Sequence, residues 1–122
     1  MRSHNNVQIK RVYEPVSARD GARILVDRVW PRGITKAQAG LTLWMKDIAP
    51  STRLRQWFNH DPDRWEQFQQ AYARELDGNG EAVSQVLALC AAGPVTLLYG
   101  ARDQEHNNAL VLQQYLHKRG AG

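Results

Sequence analysis

Ile24-Leu25-Val26-Asp27-Arg28-Val29-Trp30-Pro31-Arg32-Gly33 passes from three aliphatic residues straight into charge before Pro-Gly stops it. An unbroken apolar run suits a strand covered on both faces, so residues 22–30 are predicted as a central strand. Charge at a strand's exit lowers stability unless it meets a partner or a ligand. A second run, Val95-Thr96-Leu97-Leu98-Tyr99-Gly100-Ala101, ends the same way in Arg102-Asp103. As parallel neighbours, the two strands bring their Arg and Asp residues to one rim. In open α/β sheets the rim outside the strands' carboxyl ends is where ligands bind.

Working outward, residues 7–13 alternate apolar and polar side chains until Pro15, the period of a half-buried strand. Thr35 can cap a short helical turn through Ala39, whereas residues 41–45 fit a helix or a strand equally. Ser51 caps a helix over 52–58 that turns Leu54, Trp57 and Phe58 inward. Asp61-Pro62 starts the next helix, in which Trp65, Phe68, Tyr72 and Leu76 recur at helical spacing until Gly78. Residues 80–92 repeat Val83, Val86, Leu87 and Cys90 on one face, and residues 104–118 form the last helix with Asp103 before it. Helices between strands mean crossovers, hence an α/β fold: a single compact domain over residues 1–122 with a small, mainly parallel sheet flanked by helices.

Composition narrows the function classes. The chain has 122 residues, 43% hydrophobic and 23% charged, which fits one globular domain. No apolar run reaches the ~20 residues a bilayer needs, and residues 1–6 lack a signal peptide's apolar segment, so a cytoplasmic protein with no membrane partner is expected. The single Cys90 cannot form an internal disulfide, in keeping with a reducing compartment. A net charge of +4 leans toward anionic partners. Twelve of its sixteen basic residues are Arg, whose planar fork suits carboxylate and phosphate.

The candidate chemistry gathers at the strand exits. Arg28, Arg32 and Arg102 would clamp a phosphate or carboxylate, with Asp27, His60, Asp103 and His106 as proton-transfer candidates. Several have plainer readings: Asp103 as a helix cap, Arg102 as the partner of Asp27, Trp30 as cover for the sheet edge. Strand alternation puts Asp27 and Arg28 on opposite faces, with Trp30 on Arg28's side. His60-Asp61 would make an oriented base if Asp61 were not already a cap, and Lys46-Asp47 is either a rim pair or a solvated one. Cys90 reads as core. No H-x-x-x-H, C-x-x-C, G-x-G-x-x-G or P-loop spacing is present, so neither metal nor cofactor is expected.

Four ordered blocks carry a resemblance: Val26 to Gly33, Trp44-Met45-Lys46-Asp47-Ile48-Ala49-Pro50-Ser51, Leu54-Arg55-Gln56-Trp57-Phe58-Asn59-His60-Asp61, and Val95 to Asp103 with Asn107. In these the chain resembles the YeaO-like family of bacterial proteins, domain of unknown function 488. The resemblance implies a compact cytoplasmic α/β domain. It carries over Asp27, Arg28, Arg32, Lys46, Asp47, Arg55, His60, Arg102, Asp103 and Asn107 as candidate pocket residues.

The leading expectation is a small-molecule enzyme or binding protein with an Arg-lined anion pocket at the carboxyl ends of two core strands. A nucleic-acid surface that adds Arg53, Arg55, Arg64 and Arg74 is the less favoured alternative, because Arg64 and Arg74 stand about 80° apart around their helix. In a third reading the charges form internal ion pairs and the domain acts by docking to a partner.

Overall fold

The structure is a computed structural model that describes residues 7–120; the polar segment 1–6, on which the absence of a signal peptide was read, lies outside them. Four strands, β1 (Val7–Arg11), β2 (Ala22–Leu25), β3 (Leu43–Trp44) and β4 (Val95–Tyr99), form one sheet in the order β1-β4-β2-β3. Every pairing is parallel. All five residues of β4 are buried, because it has a neighbour on each edge and packing on each face. The two strands whose exits carry the charge, β2 and β4, are indeed adjacent, with Leu25 opposite Leu98.

Helices α2 (Thr52–Phe58), α3 (Trp65–Asp77), α4 (Gly80–Ala92) and α5 (Asn108–Lys118) supply one large core with Ile24, Val26, Val95, Leu97 and Tyr99. Phe58, Phe68, Tyr72, Val86, Leu112 and Leu116 are its helical members. The alternate strand positions Leu25 and Leu98, with Val12, turn the other way, against Ala39, Trp30, Ile34 and Trp44. Period-2 alternation thus divides each central strand between a thick helical layer and a thin cover. That cover includes the short helix α1 (Lys36–Ala39), capped by Thr35 through a reciprocal Thr35–Gln38 box. The ambiguous stretch after it resolves as the two-residue β3. Cys90 is buried in the helical core, and burial pushes its thiol up, away from a nucleophile's range.

Several expected boundaries move: β1 stops at Arg11, α3 begins at Trp65 after a 3-10 turn over Pro62–Arg64, and two larger shifts have local reasons. The strand over 22–30 ends at Leu25: Val26 N–H still donates to Leu98 O, but the next rung is made by the Asp27 side chain, whose Oδ2 accepts from Gly100 N–H at 2.8 Å. With the ladder replaced by a carboxylate, residues 28–31 peel away from the sheet. The final helix starts at Asn108 rather than near 104, because Asn107 Oδ1 caps Leu110 N–H while Asp103 holds a separate turn through the Glu105 and His106 N–H groups. Asp103 and Arg102 therefore precede a turn, not the helix. Among the described residues no helix is long and apolar enough to cross a membrane.

Candidate functional site

At the carboxyl ends of β1, β2 and β4 the chain encloses a cavity of about 630 Å³, within the range of small-ligand sites. Three chain segments bring arginines to it: Arg28 and Arg32 after β2, Arg102 after β4, and Arg55 from α2 across the gap. Arg11 at the end of β1 is a fifth. Asp27 is the one carboxylate among the lining residues, and His60 and His106 complete the titratable set. Asn107 and Asn108 place the N-terminal end of the eleven-residue α5 on the same wall, where the helix dipole favours negative charge. Phe58, Phe68, Trp30 and Tyr13 supply apolar surface.

The arginines divide into two kinds. Arg11 donates through Nε to Ala101 O at 2.8 Å and lies over the Tyr13 ring. Arg28 donates to Pro50 O and Ala49 O, both at 3.1 Å, and so ties the β2 exit to the segment before α2. Arg32, Arg55 and Arg102 are exposed, and their side chains make no hydrogen bond or ion pair within the described residues. Their guanidinium donors are available to a ligand.

Among the described residues, Asp27 meets no cation at ion-pair distance either. Burial pushes its carboxyl above the ordinary aspartate range, while the Gly100 N–H, the Asn108 amide and the more distant charges of Arg55 and His60 pull it back. The sign of the resulting pH dependence is fixed. A carboxyl raised in the folded state contributes most below its ordinary pKa of about 3.9 and loses that contribution as pH rises through the folded value. Asp27→Asn retains an acceptor for Gly100 and is expected to raise the melting temperature at neutral pH. The gap from the parent should close as the pH falls through the carboxyl range; an Asn variant less stable at neutral pH would show that the carboxylate is compensated.

His106 Nδ1 lies 2.9 Å from Asp103 Oδ2, and its ring stands edge-on to Trp65 at 5.2 Å. In the neutral ring this holds the proton on Nδ1 and leaves Nε2 as the open nitrogen. The Glu105 N–H, followed by the His106 ring, holds Asp103 below the ordinary carboxylate range. His60 gains no such orienter, since Asp61 caps Asp63 N–H and pairs with Arg64 at 3.6 Å. Its backbone is instead unusual: Asn59 and His60 follow one another in the left-handed region, at φ 47° and 55°. Non-glycine residues there carry roughly 1–2 kcal/mol of strain, of which the larger unfolded-state entropy of Gly offsets part. His60→Gly should therefore stabilise the fold by about 0.5–1 kcal/mol in urea denaturation while removing an imidazole from the cavity. Asn59→Gly is the control that relieves strain and leaves the cavity intact.

Of the residues singled out from sequence, Asp27, Arg28, Trp30, Arg32, Arg55, His60, Arg102, His106 and Asn107 all line this cavity. Asp27 and Arg28 share it because the strand has already ended, so the opposite-face expectation does not apply. Trp30 donates Nε1–H to Ile34 O and packs edge-on to Trp44, half cover and half wall. Asn107 is 1% exposed, and both ends of its amide are engaged, with Leu110 N–H and Asp103 O. Asp103 reaches the cavity only through His106. Lys46 and Asp47 do not line it: Lys46 Nζ sits 4.2 Å over the Trp44 ring, and Asp47 O accepts from Asn79. Sequence reasoning missed Arg11, Tyr13 and Asn108; a third parallel strand beside β4 was the signal that would have brought Arg11 to the rim. Among the described residues no three His, Cys, Asp or Glu side chains gather to hold a metal ion.

A family model described as the inactive DUF488-N3 subclade matches residues 6–121. The chain is similar to the uncharacterized protein YeaO of Escherichia coli K12, 42% identical over 111 residues that cover 91% of this chain and 96% of that one. Uncharacterized proteins of Mycobacterium tuberculosis and Mycobacterium bovis are 39% identical over 113 residues, 93% of this chain and 95% of theirs. No solved structure matches the chain significantly.

Proposed function

The chain belongs to the YeaO-like DUF488 family, and from that premise we propose that it is a binding protein for a small phosphate- or carboxylate-bearing molecule, held in the cavity at the carboxyl ends of β1, β2 and β4. One observation carries this reading: Arg32, Arg55 and Arg102 present unengaged guanidinium groups to a single cavity that has only one carboxylate. Like charges gathered about an empty site repel one another, and a bound anion removes that repulsion. The matching subclade's description as inactive favours binding without turnover. Turnover is the second reading, favoured by the Asp103–His106 pair, which would serve as an oriented base.

The test is a thermal-shift titration with inorganic phosphate, sulfate and small carboxylates at low ionic strength. The unliganded Arg102→Met variant should melt at or above the parent temperature, because no internal partner is stranded. Each charge-assisted contact is worth roughly 1.5–3 kcal/mol, so its anion affinity should fall by about 10–100-fold. No stabilisation by any anion would overturn the proposal. Binding of mixed-sequence oligonucleotides with a steep salt slope would instead favour the nucleic-acid reading, although of Arg53, Arg55, Arg64 and Arg74 only Arg55 lines the cavity.

A further inference from the structure

Asp27 is out of place in a pocket that serves an anion alone. It lies among five arginines, yet none of their nitrogens comes within 4.0 Å of its carboxylate, and its rung to the backbone uses a single oxygen, Oδ2 on Gly100 N–H. A carboxylate in that position repels an incoming anion and weakens the attraction of the arginines around it. An Asn would make the same Gly100 contact without either penalty. The acid is therefore explained by something the ligand itself brings.

We propose that the ligand is bifunctional: an anion clamped by Arg32, Arg55 and Arg102 that also carries a hydroxyl or ammonium donor, which Asp27 accepts. This deepens the anion-binding reading and rests on it. Three features make Asp27 fit for the role. Its backbone carbonyl is held by Trp44 Nε1–H at 2.7 Å and its Oδ2 by Gly100, so the side chain is fixed before any ligand arrives. The neighbouring Asn108 amide donates to Val26 O at 2.9 Å and also steadies the carboxylate, but it is neutral, so Asp27 lines the cavity without a charged partner. Burial disfavours its charge, and a donor from the ligand relieves that unfavourable state. Recognition of an oppositely placed donor and anion also gives specificity, since a ligand lacking the donor covers a half-buried carboxylate and leaves it unpaired.

Matched ligands test this: ethyl phosphate, 2-hydroxyethyl phosphate and 2-aminoethyl phosphate, with propanoate, 3-hydroxypropanoate and 3-aminopropanoate as the carboxylate arm, each titrated by calorimetry into the parent and Asp27→Asn. The parent is expected to bind at least one substituted member of a series about tenfold more tightly than its unsubstituted parent compound. Asp27→Asn should bind ethyl phosphate or propanoate more tightly than the parent protein does, and should lose most of the preference for the ammonium. Equal affinity across a series in the parent protein overturns the proposal and leaves the anion pocket standing, as does an unchanged preference in Asp27→Asn. Failure of every compound to bind both proteins overturns the anion pocket and this inference together. The hydroxyl and ammonium arms distinguish a hydrogen-bond acceptor from an ion-pair partner, and the parent series decides the question even if the variant fails to fold.

Discussion

Replacing Arg23 by Met is expected to lower stability by about 3–5 kcal/mol, read as a drop in the urea midpoint at unchanged slope. Arg23 and Asp20 are each 3% exposed and form an ion pair beneath the thin cover of the sheet. The guanidinium also donates to Gly40 O at 3.1 Å and, through Nη2, to Ala39 O at 2.8 Å, closing the end of α1. Its removal strands a buried carboxylate and two carbonyls at once. Lys10 Nζ, 3.1 Å from Asp20, compensates only part. Asp20→Asn in the same chain should therefore recover a share of the loss, and comparison with Asp20→Asn alone closes the cycle that gives the coupling energy of the pair. Arg23→Lys should not restore the parent, because an ammonium does not reproduce a planar fork aimed at three acceptors. A loss below about 1 kcal/mol would mean that the pair contributes little beyond packing.

The pH dependence of buried Asp20 and half-buried Asp27 has opposite sign. Burial alone would raise the Asp20 carboxyl, but the Ser17 N–H, Lys10 and Arg23 outweigh it and hold it below the ordinary value. Its contribution is present above the ordinary aspartate pKa and is lost as pH falls through the folded value, so Arg23→Met should also flatten the acid limb of the stability curve. Asp27, raised instead, acts in the other direction. Two acids near the same sheet thus report their environments: one neutralised by its own chain, the other without a charged partner.

Arg23 shows where the sequence was silent. The apolar runs of β2 and β4, the caps at Thr35, Ser51 and Asp61 and the helical spacing through α2, α3 and α4 were legible because each depends on neighbours in the chain; Trp57 is the exception, exposed beneath the Arg64 guanidinium instead of turned inward with Leu54 and Phe58. The buried ion pair depends on Ala39, Gly40 and Lys10 arriving from elsewhere, and nothing adjacent to Arg23 announces them. The strand's early end had the same cause: a carboxylate took over a ladder bond to a residue 73 positions away. The start of α5 was misplaced because Asp103 and Asn107 are both competent caps, and only the fold decides which one the helix uses. The convergence of charge at one rim was legible, since parallel strands share a direction. The contacts each arginine would keep for itself were not.

Arg28 makes that difference measurable. From its place at a strand exit it reads as a ligand clamp like Arg102, yet its Nε and Nη2 hold the carbonyls of Pro50 and Ala49, both in buried residues. A stranded buried carbonyl costs roughly 1–3 kcal/mol, so Arg28→Met is expected to destabilise by about 2–4 kcal/mol. It should also loosen the approach to α2, whose cap Ser51 is fixed by Glu75 through its N–H at 2.8 Å and its hydroxyl at 2.6 Å. Arg55, on that helix, would then lose its fixed place across the cavity, and anion affinity should fall through geometry as well as charge. Arg102→Met removes the same charge from the same cavity and strands nothing. Equal stabilities for the two variants would show that the Ala49 and Pro50 carbonyls find water when Arg28 is gone. Unequal stabilities with matched losses of phosphate affinity would separate the arginine that builds the site from the arginine that serves it.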